Sequence, residues 1–264
     1  MLIPVKAGQF SFKTTPQYTG EVDLTEKLII AHRGAPDYAK ENTIESFEKA
    51  MTLGADMIEF DMRRTRDNVL IAYHDEMIQG YSTKGLTYEE IGQMARNQGF
   101  DIPTVEEVLE WSRGKIKLDV ELKEEGYEKE IVELLIKYFE EDQFVITSFN
   151  GASLRVVKER YPDIRTGLIL GRGIPSYPIL TRLQEFFPMK RCNKAKADFL
   201  VVHWKLLRFD FLERAKKNNR PVFVWTVNDK EMMSRLLQDR RVCAIITDKP
   251  DLAVSLRKEY LQFS

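Results

Sequence analysis

The chain holds 264 residues, 43% of them hydrophobic, with 40 basic and 41 acidic side chains and a net charge of -1. That is apolar material for a full-sized core in one or two domains, and α/β barrels commonly reach about 250 residues as one. Charge this evenly balanced gives no overall case for nucleic acid or an anionic membrane as a partner.

The two cysteines, Cys192 and Cys243, show neither metal-ligand spacing nor a disulfide framework. The opening MLIPVKAGQFSFK has no apolar core long enough for a signal peptide, and no run approaches a membrane span. A reducing cytoplasm is the expected compartment. Residues 1–27 carry scattered apolar positions (Ile3, Val5, Phe10, Phe12) without helical spacing, and read as an N-terminal arm packed on the main body.

A rhythm of strands and helices begins at Leu28-Ile29-Ile30-Ala31, a buried-strand run that ends in His32-Arg33-Gly34. Asn42-Thr43-Ile44-Glu45 opens a helix with a capping-box pattern, in which Asn42 is read as part of the cap, and Gly54 ends it. The strand Asp56 to Asp61 follows, with Glu59 and Asp61 on one face and Ile58 and Phe60 on the other. Asp67-Asn68 is a two-residue turn signal, and folding the chain about it sets Asp61 opposite His74. Residues 76–115 break the rhythm with capping-box helix starts at Thr87 and Thr104, punctuated by Gly80, Gly85, Gly99 and Pro103, as an inserted lobe would.

The rhythm resumes with strand runs at Ile116–Leu122, Phe144–Ser148, Ile164–Leu168, Phe199–His203, Val222–Thr226 and Val242–Thr247, each followed by a helical pattern; one such segment lies at roughly 179–187. Eight β/α units in residues 28–264 is the arithmetic of a (β/α)8 TIM barrel, with the small lobe inserted after the second strand and its hairpin. A doubly wound sheet would more usually carry a Gly-rich phosphate turn after its first strand, and there is none.

In such a barrel the active site lies at the C-terminal strand ends. Those ends carry His32-Arg33, Glu59-Phe60-Asp61, Glu121-Leu122-Lys123, His203-Trp204 and Trp225-Thr226-Val227-Asn228. Glu59, Asp61 and Glu121 offer three hard oxygen ligands, which favour Mg²⁺, Ca²⁺ or Mn²⁺ over zinc. Arg33 and Lys123 supply fixed positive charge suited to phosphate oxygens. His32 and His74 form a candidate acid–base pair. Asp119 faces the barrel interior by parity and is expected to pair with Lys117 or another internal cation, while Asp75 is read as orienting a neighbour.

In order and spacing, His32-Arg33-Gly34, Glu41-Asn42-Thr43, Glu59-x-Asp61, Thr65-x-Asp67 and His74-Asp75 resemble the signature of glycerophosphodiester phosphodiesterases. The likeness continues through Glu121-Leu122-Lys123, Ser148-Phe149-Asn150, Trp225-Thr226-Val227-Asn228 and Thr247-Asp248-Lys249-Pro250. The resemblance implies a TIM barrel that hydrolyses deacylated phospholipids, such as glycerophosphocholine or glycerophosphoethanolamine, to sn-glycerol 3-phosphate and an alcohol. It implies His32 and His74 as general acid and base, Glu59, Asp61 and Glu121 as divalent-metal ligands, Arg33 and Lys123 on phosphate, and Trp225 at the pocket wall. It also implies attack by the glycerol 2-hydroxyl through a cyclic phosphate. Glu76 to Thr83 departs from the Arg-Thr pair common in the family, which bears on the headgroup side of the pocket.

A lysophospholipase D, or a sphingomyelinase-D-like lyase, is the enzymatic rival, and it would need an apolar entry for an acyl chain. A catalytically retired barrel used as a scaffold is the rival from another class. It would be expected to have lost at least one member of the acid, base and ligand set, which is whole here.

Overall fold

A computed structural model describes residues 27–171 and 188–263. The N-terminal arm up to residue 26 and the helical segment expected at 179–187 lie outside the described residues. In chain order the elements are β1 (Leu28–His32), α1 (Ile44–Thr52), β2 (Met57–Arg64), β3 (Leu70–Ala72), β4 (Met77–Ile78), β5 (Tyr81–Ser82), α2 (Tyr88–Arg96) and α3 (Val105–Ser112). They continue with β6 (Lys117–Leu122), α4 (Glu128–Tyr138), β7 (Phe144–Ser148), α5 (Gly151–Arg160), β8 (Thr166–Leu170) and α6 (Pro188–Ala195). Last come β9 (Phe199–His203), α7 (Phe211–Lys217), β10 (Val222–Trp225), α8 (Lys230–Gln238), β11 (Ala244–Thr247) and α9 (Pro250–Phe263).

Strands β1, β2, β6, β7, β8, β9, β10 and β11 pair in that order, all parallel, and β11 returns to β1, so the sheet closes as the eight-stranded TIM barrel expected from the sequence. Parity then sorts every side chain. Outward positions such as Ile29, Ala31, Ile58, Phe60, Leu118 and Val120 pack under the helices in one large core. Inward positions such as Leu28, Ile30, Met57, Phe199, Phe223 and Ala244 fill the barrel from below, with the Phe199 and Phe223 rings 4.5 Å apart.

Along each strand the inward residues change from apolar to polar toward the C-terminal end. Ile30 is followed by His32, Met57 by Glu59 and Asp61, and Val145 by Thr147. An apolar plug thus supports a polar mouth, which is where this fold builds its sites. Register fixes the rows: His32 sits beside Glu59 and Glu59 beside Asp119, while Asp61 sits beside Glu121 and Glu121 beside Thr147.

The β2–β3 hairpin differs by one residue from the expected pairing. Met62 faces Ala72 and Arg64 faces Leu70, and the Tyr73 amide donates to the Asp61 carbonyl at 2.9 Å. Asp61 is therefore opposite Tyr73, not His74. The cause is loop length: the Thr65 amide bonds to the Val69 carbonyl, which leaves three residues in the turn, with Asn68 at φ 64 closing it in the left-handed region. His74 lies one position beyond the pair.

Beyond the hairpin, β4, β5 and α2 surround a small core of Ile71, Ile78, Ile91, Ala95 and Ile102. Helix α3 instead sends Val105, Val108 and Leu109 into the main core. Thr87 and Thr104 both form complete capping boxes with Glu90 and Glu107. Both cysteines are buried and neither forms a disulfide. Among the described residues no helix is long and apolar enough to cross a membrane.

Candidate active site

Asp61 is the hub of the barrel mouth. Its side chain is fully buried, and Lys123 Nζ lies 2.7 Å from Oδ1 while Arg33 Nε lies 3.0 Å from Oδ2. Burial alone would raise its pKa, but Lys123, Arg33 and then His74 outweigh it and hold the carboxyl well below the usual range. Asn42 completes the clamp: its Nδ2 donates to Asp61 Oδ2 at 2.9 Å, and its Oδ1 accepts from the Asp61 amide at 3.2 Å. Lys123 also reaches Glu121 Oε1 at 2.6 Å, and Arg33 reaches Glu41 at 3.0 Å.

Arg33 owes its position to a strained turn. Its φ is 56, a left-handed conformation that costs a non-glycine residue about 1–2 kcal/mol, and its amide is tied to Glu59 Oε2 at 2.9 Å. The next residue has to be glycine. Gly34 has φ +90, and a Cβ there would fall 2.3 Å from Ser46 Oγ.

Glu59, Asp61 and Glu121 bring carboxylate oxygens within 4.8 Å of one another, all buried. Glu59 Oε1 has no hydrogen-bond partner, an expensive state for a buried carboxylate oxygen unless a cation serves it. Burial, reinforced by Asp61, Glu121 and Asp119 and opposed by Arg33, pushes the Glu59 pKa well up. Burial raises Glu121 as well, against the pull of Lys123, and pushes Asp119 up to about 7 against its hydrogen bond from Thr147. Three hard oxygens with one left orphaned fit Mg²⁺, Ca²⁺ or Mn²⁺.

His32, Glu59, Asp119, Glu121, Thr147 and Trp225 line one small cavity, of about 20 Å³. A far larger groove, about 840 Å³, runs outside the barrel past Leu70, Thr104 and Leu134. It holds none of these convergent groups. Size is the poorer guide here, because chemistry needs ionisable groups that meet.

Each candidate histidine has one ring nitrogen fixed by a carboxylate. His32 Nδ1 is 2.7 Å from Asp248 Oδ1, and Asp248 is itself gripped by Asn228, whose Nδ2 donates to Oδ2 and whose Oδ1 accepts from the Asp248 amide. Although burial works the other way, the bond from His32 helps hold Asp248 below the usual carboxylate range. His74 Nδ1 is 2.7 Å from Asp75 Oδ1 in a more open setting. Burial lowers the His74 pKa, with Asp61 opposing. In both dyads the carboxylate favours a proton on Nδ1 and leaves Nε2 as the working nitrogen.

Residues 32–252 match the family model of the glycerophosphoryl diester phosphodiesterases. The chain belongs to that family. A glycerophosphodiester phosphodiesterase of Caldanaerobacter subterraneus is 33% identical over 248 residues, covering 87% of this chain and 97% of the relative. A solved glycerophosphodiester phosphodiesterase of Parabacteroides distasonis superposes with a TM-score of 0.75 at 26% identity, covering 90% and 99% of the two chains. A phosphodiesterase of Oleispira antarctica, solved with sn-glycerol 3-phosphate, shares the fold with a TM-score of 0.74 at 24% identity, covering 92% and 99%.

This phosphodiesterase-family barrel gathers seven of the eight residues expected at its mouth, in two groups that share Glu121. Arg33, Asp61, Glu121 and Lys123 interlock; His32, Glu59 and Trp225 join Glu121 around the cavity. Trp225 is held by its indole N–H on the Leu170 carbonyl at 3.1 Å and by the Phe149 and His203 rings. His74 stands at the hairpin end, near enough to Asp61 to share its field.

Four contributors had no site role in the sequence. Asn42 is not the helix cap: Thr43 is, accepting from the Ser46 amide, and the one-residue offset frees Asn42 (φ 58) for Asp61. Asn228 stands among the strand-end residues and Asp248 within the family motif, but neither position announces that the two grip each other and His32. Arg63 continues the parity of Glu59 and Asp61. Its Nε donates to the His74 carbonyl at 2.8 Å, and its guanidinium pairs with buried Glu124 at 2.9 Å, bracing the histidine's loop.

Proposed function

We propose that this chain hydrolyses glycerophosphodiesters such as glycerophosphocholine or glycerophosphoethanolamine to sn-glycerol 3-phosphate and an alcohol, with a divalent cation held by Glu59, Asp61 and Glu121. The observation that carries the reading is the buried carboxylate triad with an orphaned Glu59 oxygen, flanked by two histidines that each have one nitrogen already fixed. Bound there, Mg²⁺, Ca²⁺ or Mn²⁺ supplies charge neutralisation for a phosphoryl oxygen.

The chain's own groups do the rest. Lys123, held between Asp61 and Glu121, and Arg33, held on Asp61, would set two positive charges at the mouth for the phosphate oxygens. One histidine Nε2 takes the proton of the glycerol 2-hydroxyl as its oxygen bonds to phosphorus. The bond from phosphorus to the headgroup oxygen breaks, and the other histidine protonates the leaving alcohol. In the second step the roles exchange: water is deprotonated, attacks the cyclic phosphate, and the ring oxygen regains a proton as the 2-hydroxyl. Asp248 and Asp75 keep the imidazoles in one tautomer through both steps. Trp225 closes the pocket wall on the glycerol side.

Product identity tests this reading. Followed by phosphorus NMR with added Mg²⁺, glycerophosphocholine is expected to give sn-glycerol 3-phosphate as the final product, with lysophosphatidylcholine turned over far more slowly. Accumulated cyclic phosphate as the end product, or preference for the lysolipid, would replace the reading with the lyase or the lysophospholipase D.

A further inference from the structure

The mouth of the barrel carries a fourth buried carboxylate that the triad does not use. Asp119 is 1% exposed and lies in the same row as His32 and Glu59. Its Oδ1 accepts from Thr147 Oγ1 at 2.7 Å, so its partner is a hydroxyl and not Lys117. Its Oδ2 has no hydrogen-bond partner, and the residue lines the same cavity as Glu59, whose Oε1 is also unpartnered.

Two orphaned carboxylate oxygens on one cavity need a shared ligand. Arg33 and Lys123 are committed to the triad and Glu41. Asp119 does not belong to the group whose oxygens all lie within 4.8 Å, so it is too far to share direct coordination with all three. The cavity, at about 20 Å³, exceeds the roughly 10–15 Å³ that one water needs.

We propose that Asp119 strengthens cation binding from the Glu59 row of the barrel, acting across this cavity through a single water on an ion held by Glu59, Asp61 and Glu121. The inference rests on the triad being the cation site. Its charge adds to theirs, so affinity for a divalent ion is set by four carboxylates where three touch the metal. Groups that support metal ligands in this way typically contribute about 10–100-fold in affinity.

The test is Mn²⁺ alone, titrated by calorimetry and electron paramagnetic resonance into chelator-stripped protein. Asp119→Asn keeps size and the bond to Thr147 but loses the charge. It is expected to weaken Mn²⁺ binding about 10–100-fold while one site remains. Should that variant not fold, Asp119→Ala makes the same comparison. Wild-type affinity in the folded variant would overturn the role of Asp119 alone. Failure of the unmodified protein to bind Mn²⁺ would overturn the triad reading and this inference together.

Discussion

Replacing His32 or His74 by alanine is expected to lower kcat by about 10²–10⁴-fold, the usual worth of a positioned general acid or base. That is about 3–5 kcal/mol of barrier at 1.36 kcal/mol per decade. Neither ring has a hydrogen bond to the triad, so cation binding is expected to stay within a few-fold of wild type. The two variants should differ in stability. His32→Ala strips Asp248 of its ring partner, leaving only Asn228, and costs about 1 kcal/mol. His74 is more open to solvent and its loss costs less. Steady-state kinetics and thermal melts on purified variants decide the matter. Substantial residual turnover in either would remove that histidine from the mechanism.

Glu121→Ala and Glu59→Gln should split function from stability. Losing one of three carboxylate ligands is expected to weaken divalent binding by at least about 100-fold, and calorimetric titration reads it directly. A titration unchanged from wild type would refute the assignment. Stability should move the other way for Glu59→Gln in stripped protein. Burial and the neighbouring carboxylates raise the folded-state pKa of Glu59, so the folded chain keeps a proton there that the unfolded chain has lost. Stability is then lost as pH rises from the usual carboxylate range toward that raised value. Glutamine removes the penalty and still offers an oxygen to the Arg33 amide. The variant's melting temperature is expected to exceed wild type at about pH 8, with the difference shrinking toward about pH 5. A lower melting temperature at both would contradict the charge account.

These effects share one cause: the fold concentrates like charge where the chemistry needs it. Parity alone put Glu59 and Asp61 on one strand face and Glu121 and Lys123 on another, because alternation needs no knowledge of neighbours. The closed barrel then makes those faces meet. What parity could not give was register. A three-residue turn instead of two moved His74 one place along from Asp61, and nothing in Asp67-Asn68 announces the difference.

Pairings across the barrel were equally hidden. Asp248 follows β11, 216 residues from His32, and only closure brings them to 2.7 Å. Asn and Thr both suit a cap, and the choice between Asn42 and Thr43 is made by the Asp61 carboxylate that Asn42 reaches. Parity faces Asp119 inward, but its partner comes from the neighbouring strand, Thr147, and not from its own.

Cation-dependent cleavage of a glycerophosphodiester can be measured directly. Chelator-stripped enzyme is given glycerophosphocholine, and sn-glycerol 3-phosphate release is followed before and after Mg²⁺, Ca²⁺ or Mn²⁺ is restored. Negligible release is expected from stripped enzyme and recovery with at least one cation, saturating over the range in which that cation binds Glu59, Asp61 and Glu121. Equal release with and without cation, or none from protein shown to have the ion bound, would contradict it.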